Sequence, residues 1–277
     1  MKVIARLVVL LSLLTLPFLV RAAPASDQVI AQLLELSGAR QQLAAFPDQV
    51  IAGMDLARQQ QPGTADADVQ RMQKSMQDAF QLEDLLSPIR TALKNSLSED
   101  DARQLLAWLQ SDRGRRIVLA EEASAEASAL QDMLSRIDEV RRDKAKLGFA
   151  RRIDLLLGIT ELNLLLQEYA GMAIHAALLN AVRPHQSFDA EAYRGQVRAQ
   201  LAGARPRTEE MVRLSLAHAY RDIPASELAA YERFLKTPAA SRFYRASMSG
   251  MTQGYAAVLD KMMQAMINSM GSSEIRT

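Results

Sequence analysis

Two arginines, Arg116 and Arg242, occupy equivalent places in two similar stretches of the sequence, LLAWLQSDRGRRIVLA and YERFLKTPAASRFYRA. Each arginine follows a residue predicted to cap a helix, Ser111 or Thr237, and therefore lies close to a helix N-terminus. Free helical N–H groups and a guanidinium together could hold a phosphate or a carboxylate. The alternative is that each arginine forms a structural ion pair with a neighbouring helix or is solvated.

The last part of the chain is rich in methionine, with six of the 13 methionines between residues 248 and 270. These methionines recur with aromatic and aliphatic residues at steps of three and four, as on one face of a helix. Such a face is usually core, but methionine also suits deformable surfaces that bind a partner or an apolar ligand. The residues of this candidate partner stripe are Met248, Met251, Tyr255, Met262 and Met266. A weaker alternative is capture of Cu(I) by thioether pairs at these spacings.

The residue types that usually carry catalysis form no recognised motif. The histidines, His175, His185 and His218, lack the spacing of zinc sites, and nucleophile, phosphate-loop and dinucleotide fingerprints are absent. The adjacent acids Glu121 and Glu122 would diverge by about 100° on a helix, so we expect them on a solvated face. The sequence therefore predicts no catalytic residue, metal site or cofactor.

The first 22 residues have the pattern of a secretory signal peptide. Lys2 and Arg6 precede the uncharged run Leu7–Val20, and the small residue Ala22 sets the predicted cleavage point, so the mature chain would start at Ala23. As a helix, the uncharged run spans about 21 Å, which is short of the roughly 30 Å core of a bilayer. We therefore expect a cleaved signal and an exported protein, with no later segment apolar enough to span a membrane.

The composition narrows the classes of partner. The chain has 33 basic and 32 acidic residues, and the signal peptide carries three of the basic ones and no acid, so the mature chain has two more acids than bases. Such a chain has no electrostatic attraction for nucleic acid. Cysteine is absent, which excludes disulfides, thiolate chemistry and a lipid-modified N-terminal cysteine.

Periodicity predicts an all-α protein. Alanine, leucine, glutamine, glutamate, arginine and methionine favour helices, and apolar residues recur at helical spacing along most of the chain. The predicted breaks are Pro62-Gly63, the segment from Pro184 to Ser187, and GARPRT at 203–208.

The two similar stretches predict an internal duplication. Trp108 matches Phe234 and Gly114 matches Ala240 with the same shift of 126 residues, and ELSGARQQL echoes LLGITELNL with a shift of about 121. We therefore expect two similar helical-bundle halves, 23–145 and 146–277. In each half a short helix ends in a tight corner, and a small residue lets the next helix approach closely.

These stretches resemble the hallmark of the bacterial family called domain of unknown function 2059. Its pattern is aromatic-x-x-[ST]-P-x-[GA]-x-[KR], which the segment from Phe234 to Arg242 fits. In the first copy Trp108 supplies the aromatic residue and Asp112 replaces the proline. The resemblance implies an exported helical protein in the periplasm of a Gram-negative bacterium, and it implies no activity.

We expect a non-catalytic binding or scaffolding module that uses a helical groove, with a protein or a cell-envelope component as partner. The alternative from another class is a cell-envelope hydrolase or lyase whose acid and base come from separate helices, because sequence spacing does not exclude such an arrangement.

Overall fold

The computed structural model describes residues 23–48, 51, 74, 80–126, 128–182 and 190–271. These residues form twelve helices and no strand beyond an isolated bridge between Pro24 and Ser98, which confirms the all-α class. Among them, no helix is long and apolar enough to cross a membrane. The predicted signal peptide and the Pro62-Gly63 break lie outside the described residues.

In chain order the helices are α1 (Asp27–Leu36), α2 (Ala39–Ala44), α3 (Leu82–Ser96), α4 (Glu99–Leu109), α5 (Asp112–Ser124), α6 (Ala129–Ser135), α7 (Ile137–Arg142), α8 (Lys144–Leu157), α9 (Ile159–Val182), α10 (Ala190–Ala219), α11 (Ala225–Leu235) and α12 (Pro238–Gly271).

Local sequence signals set several helix ends. Ser98 caps α4 and forms a reciprocal capping box with Asp101. Ser111 caps α5 by accepting a hydrogen bond from the Gly114 N–H at 3.0 Å, and α12 begins at Pro238, where a missing N–H is tolerated. These caps confirm the predicted tight corners before α5 and α12.

The predicted break at 203–208 is wrong, because α10 continues through Pro206. A proline inside a helix removes one backbone hydrogen bond, a loss that packing of a long helix can offset. Beside it, Arg205 donates hydrogen bonds to both carboxylate oxygens of Glu161 in α9, at 2.7 and 2.8 Å. Pro88 likewise lies inside α3 without ending that helix.

The hydrophobic cores cross the predicted boundary between the halves. The first core combines residues of α1, α3 and α4 with residues of α12, including Phe243, Tyr255 and Val258. The second combines Ile117 of α5 with residues of α8 and α11. The segments 23–145 and 146–277 are therefore not two bodies with separate cores, because each contributes helices to the core of the other.

Helix α12 packs most closely against α3. A Cβ atom at Gly250 would lie 2.4 Å from the Cα of Ile89, and one at Gly254 would lie 2.9 Å from the Cα of Leu85. Both contacts are with backbone, so any side chain at these positions would force the helices apart. The two glycines thus allow the close approach that buries Ile89 and Leu85.

Gly250→Ala is expected to lower the free energy of unfolding by about 2–3 kcal/mol, because the added methyl group meets the α3 backbone. The matched control is Gly203→Ala in α10, where a Cβ atom has nothing within 4 Å and better helix propensity should add up to about 1 kcal/mol. Urea unfolding followed by circular dichroism measures both. Equal and small effects of the two substitutions would contradict the close packing of α12 on α3.

Candidate binding groove and the arginine pairs

Both candidate anion-binding arginines are bonded to carboxylates from the other half of the chain. Arg116 of α5 donates hydrogen bonds from Nε and Nη2 to the two oxygens of Glu227, at 2.9 and 2.6 Å. Arg242 of α12 donates from Nε to Oδ2 of Asp101 at 3.0 Å and from Nη2 to Oδ1. A carboxylate occupies each guanidinium fork, which favours the alternative, a structural ion pair. The anion site stays a prediction.

The Asp101–Arg242 pair should matter more for stability than the Glu227–Arg116 pair, because its carboxylate is the more buried. The Asp101 side chain is only 8% exposed, whereas its partner Arg242 is 45% exposed. Burial opposes ionisation of Asp101, but hydrogen bonds from Arg242 and Ser98 outweigh it and hold the pKa of this carboxyl below its usual value. Asp101 thus joins the cap of α4 to the first turn of α12.

Contacts between the two similar stretches are reciprocal. Trp108 stacks on Phe234 with ring centroids 4.6 Å apart and planes 9° apart. These two rings occupy equivalent positions in the two stretches, as do the two paired arginines. Their acids, Asp101 and Glu227, are also equivalent, each four residues before the start of a stretch. Two copies related by a twofold axis make such self-complementary contacts. The internal duplication stays a prediction, and this reciprocity supports it.

Glu121 is half-buried and its carboxylate is hydrogen-bonded inside the protein, so its expected place on a solvated face is wrong. Its Oε1 accepts hydrogen bonds from the hydroxyls of Tyr220 and Tyr231, at 2.6 and 2.8 Å. The hydroxyl of Tyr244 lies 3.4 Å from that of Tyr231. Burial raises the pKa of Glu121 despite these hydrogen bonds, and it also raises the tyrosine pKa values. The cluster joins α5, α11 and α12 in the interior.

The described part of the candidate partner stripe faces the core. Tyr255 is 6% exposed, and its ring centroid lies 4.7 Å from that of Phe46. Met251 is half-buried against the same core, and Met248 is half-buried. The side chains of Met262 and Met266 lie outside the described residues. Tyr255 is therefore a core anchor instead of a partner residue, because α12 completes the first core.

His218 is the one histidine whose side chain is described, since those of His175 and His185 lie outside the described residues. Its Nε2 lies 3.0 Å from Oδ2 of Asp132, and the side chain is 5% exposed. Burial and the nearby Arg221 lower its pKa. Over the described part of the chain, no group of three or more histidine or acidic side chains is placed to hold a metal ion.

Helices α9 and α10 run antiparallel and frame a groove that the sequence did not reveal. Ion pairs of Arg205 with Glu161 and of Arg198 with Glu168 join the two helices along their length. The groove has a volume of about 470 Å³. Its described lining comes from α6, α9 and α10: Leu130, Met133, Ile159, Asn163, Gln167, Ala204, Arg207, Thr208, Met211, Val212, Ser215 and Leu216.

The groove combines an apolar surface with neutral polar groups. Met133 and Val212 are buried beneath it, whereas Met211 is 36% exposed. Among the described lining residues, Arg207 alone carries a charge. The described lining therefore offers apolar contacts and a few hydrogen-bonding groups, as ligand-binding sites do. Periodicity could not reveal it, because the α10 face mixes small, polar and apolar residues.

A second cavity of about 500 Å³ lies beside α8, where most of the charged side chains are bonded to other groups. Arg205 of its lining is bonded to Glu161 and Glu209. Asp154 accepts hydrogen bonds from the N–H and the hydroxyl of Thr160, at 2.8 and 2.7 Å. These carboxylates hold the junction of α8, α9 and α10 and are not arranged as a catalytic acid and base.

Comparisons with family models, curated proteins and solved structures found no match for this chain. The resemblance to the domain of unknown function 2059 therefore stays a prediction from the two quoted stretches.

Arg242→Ala is expected to lower the free energy of unfolding by about 1–2 kcal/mol, because it leaves the buried Asp101 carboxylate without its main partner. This range allows for solvent screening of the half-exposed guanidinium. Arg103→Ala is the control, since Arg103 and its partner Asp100 are both exposed, and it should have almost no effect. Urea unfolding measures both. A rise in stability on adding phosphate that disappears in Arg242→Ala would support the anion site.

Glu121→Gln is expected to raise the melting temperature relative to the native protein, and the difference should grow as the pH rises above about 4. The raised pKa means that the folded state retains the Glu121 proton above the unfolded value of about 4.3, so native stability falls as pH rises through that value. Glutamine stays neutral throughout. The exposed Glu126→Gln is the control, and the same pH trend in both variants would contradict this account.

Proposed function

We propose that this chain is an exported, non-catalytic binding module and that the groove between α6, α9 and α10 is its ligand site. The observation that carries the proposal is the groove itself, with its volume of about 470 Å³ and its largely uncharged described lining. Small-molecule sites are typically concave, mostly apolar and of this size. Met211 at its surface adds a deformable contact.

The sequence supports a periplasmic location for this module. Residues 1–22 have the order of charge, apolar run and small residues that marks a cleaved signal peptide. The resemblance of the two similar stretches to an exported bacterial family points to the same compartment. In that compartment the ligand would come from the cell envelope or from the periplasmic fluid.

The packing of the groove suits binding more than catalysis. Its helices are held by ion pairs on neighbouring faces, such as Arg205 with Glu161, so the site is largely formed before a ligand arrives. Preformed sites bind with a smaller entropic penalty than sites that must fold around a ligand. The hydrolase or lyase alternative has no comparable support, because the carboxylates of Asp101 and Glu121 serve an ion pair and a tyrosine cluster.

Ala204→Trp is expected to block the groove, because Ala204 lines it and an indole would fill much of the space. The probe is the neutral dye N-phenylnaphthylamine, whose fluorescence rises in apolar sites, added to protein purified from a periplasmic fraction. We expect the native protein to bind the dye and the variant to bind it at least tenfold more weakly.

The matched control is Ala202→Trp, which places the same side chain at an exposed position of the same helix. It should bind the dye as the native protein does. Circular dichroism must show equal unfolding midpoints for both variants. Dye binding unaffected by Ala204→Trp, or absent from the native protein, would contradict the proposed site.

If the signal peptide is cleaved after Ala22 as predicted, the mass of the purified chain should correspond to a start at Ala23.

A further inference from the structure

We infer that the groove takes an amphiphilic carboxylate, with an apolar body against Met133, Met211 and Val212 and an anionic head group on Arg207. This inference rests on the proposed function and specifies its ligand class. It depends on two independent features of the groove, its dimensions and the pairing of the arginines on α10.

The dimensions favour a small elongated ligand. The lining residues run from Ile159 to Gln167 on α9 and from Ala204 to Leu216 on α10, which corresponds to about 12 and 18 Å of helix at 1.5 Å per residue. Pockets for small ligands typically have volumes of about 300–1,000 Å³. Here Leu130 and Met133 of the short helix α6 contribute to the lining. The space of about 470 Å³ therefore suits a single apolar chain or ring system.

The pairing of the arginines distinguishes Arg207 from its neighbours on α10. Four other arginines of this helix have acidic partners: Arg194 and Arg198 contact Glu168, Arg205 contacts Glu161 and Glu209, and Arg213 contacts Glu210. Among the described residues, Arg207 has no such acid within ion-pair distance, and it lines the groove.

An unpaired guanidinium beside an apolar groove is complementary to a ligand with a carboxylate at one end. Arg207 can donate two parallel hydrogen bonds to such a group. The described lining contains no aspartate or glutamate, so nothing there would receive a cationic head group. The amides of Asn163 and Gln167 lie in the same lining, where they can bond a carboxylate or a hydroxyl group without adding charge.

The test compares three ligands with the same ten-carbon chain, namely decanoate, decanol and decyltrimethylammonium. Each is used below its critical micelle concentration or solubility limit. Binding is followed by NMR of the labelled methionine methyl groups, since Met133 and Met211 line the groove and Met251 lies against a different core. We expect decanoate to shift the methyl signals of Met133 and Met211 at the lowest concentration and to leave that of Met251 unchanged.

Arg207→Ala should weaken decanoate binding about tenfold, the effect of one lost charge-assisted interaction, and leave decanol binding unchanged. Arg207→Lys should retain part of the affinity, because it keeps the charge and loses the paired donors. The matched control is Arg233→Ala, which removes the same charge from an exposed position on α11. It should bind decanoate as the native protein does.

Equal affinity for decanoate and decanol, with no effect of Arg207→Ala, would overturn the head-group assignment and leave the apolar binding site standing. Preference for the cationic ligand would overturn it as well. If the groove binds an acidic amphipathic peptide and none of the three ligands, the ligand class is wrong. If the native protein does not bind N-phenylnaphthylamine, by contrast, the proposed function itself is contradicted.

Discussion

The contact between α12 and α3 is the constraint on which the rest of the structure depends. Gly250 and Gly254 allow two backbone segments that lie about 165 residues apart in the chain to come into contact. This approach places Phe243, Tyr255 and Val258 in the core of the N-terminal helices. It also sets Arg242 beside Asp101, so the ion pair and the aromatic contacts follow from the helix packing.

The reciprocal contacts explain why the two similar stretches share their residue types. In each stretch an aromatic residue lies at the end of a helix, a small residue lets the next helix turn closely, and an arginine binds an acid just before the other stretch. Trp108 and Phe234 stack on each other. In the sequence, each ring lies between the acid of one ion pair and the arginine of the other. Shared residue types therefore reflect mutual contact between the stretches, and a common ligand is not needed to explain them.

Local signals allowed much of the helical architecture to be predicted. Helix starts depend on contacts within a few residues, so those at Ser98, Ser111 and Pro238 could be predicted from residue type. The predicted break at 203–208 is wrong because contacts with α9 stabilise the helix around Pro206. Glu121 looked like a surface acid, since its partners Tyr220 and Tyr231 follow about 100 residues later. The groove depends on α6, α9 and α10 together, so no single segment carries its pattern.

The sharing of cores between the halves has a consequence for the order of assembly. Residues of α1, α3 and α4 bury their apolar faces fully only when α12 is present. During synthesis, an emerging N-terminal half therefore has no completed interior until the last helix has been made. Contacts over such sequence separations slow folding and make it cooperative. Late completion of the core is compatible with the proposed export, because an unfolded polypeptide can pass through an export channel.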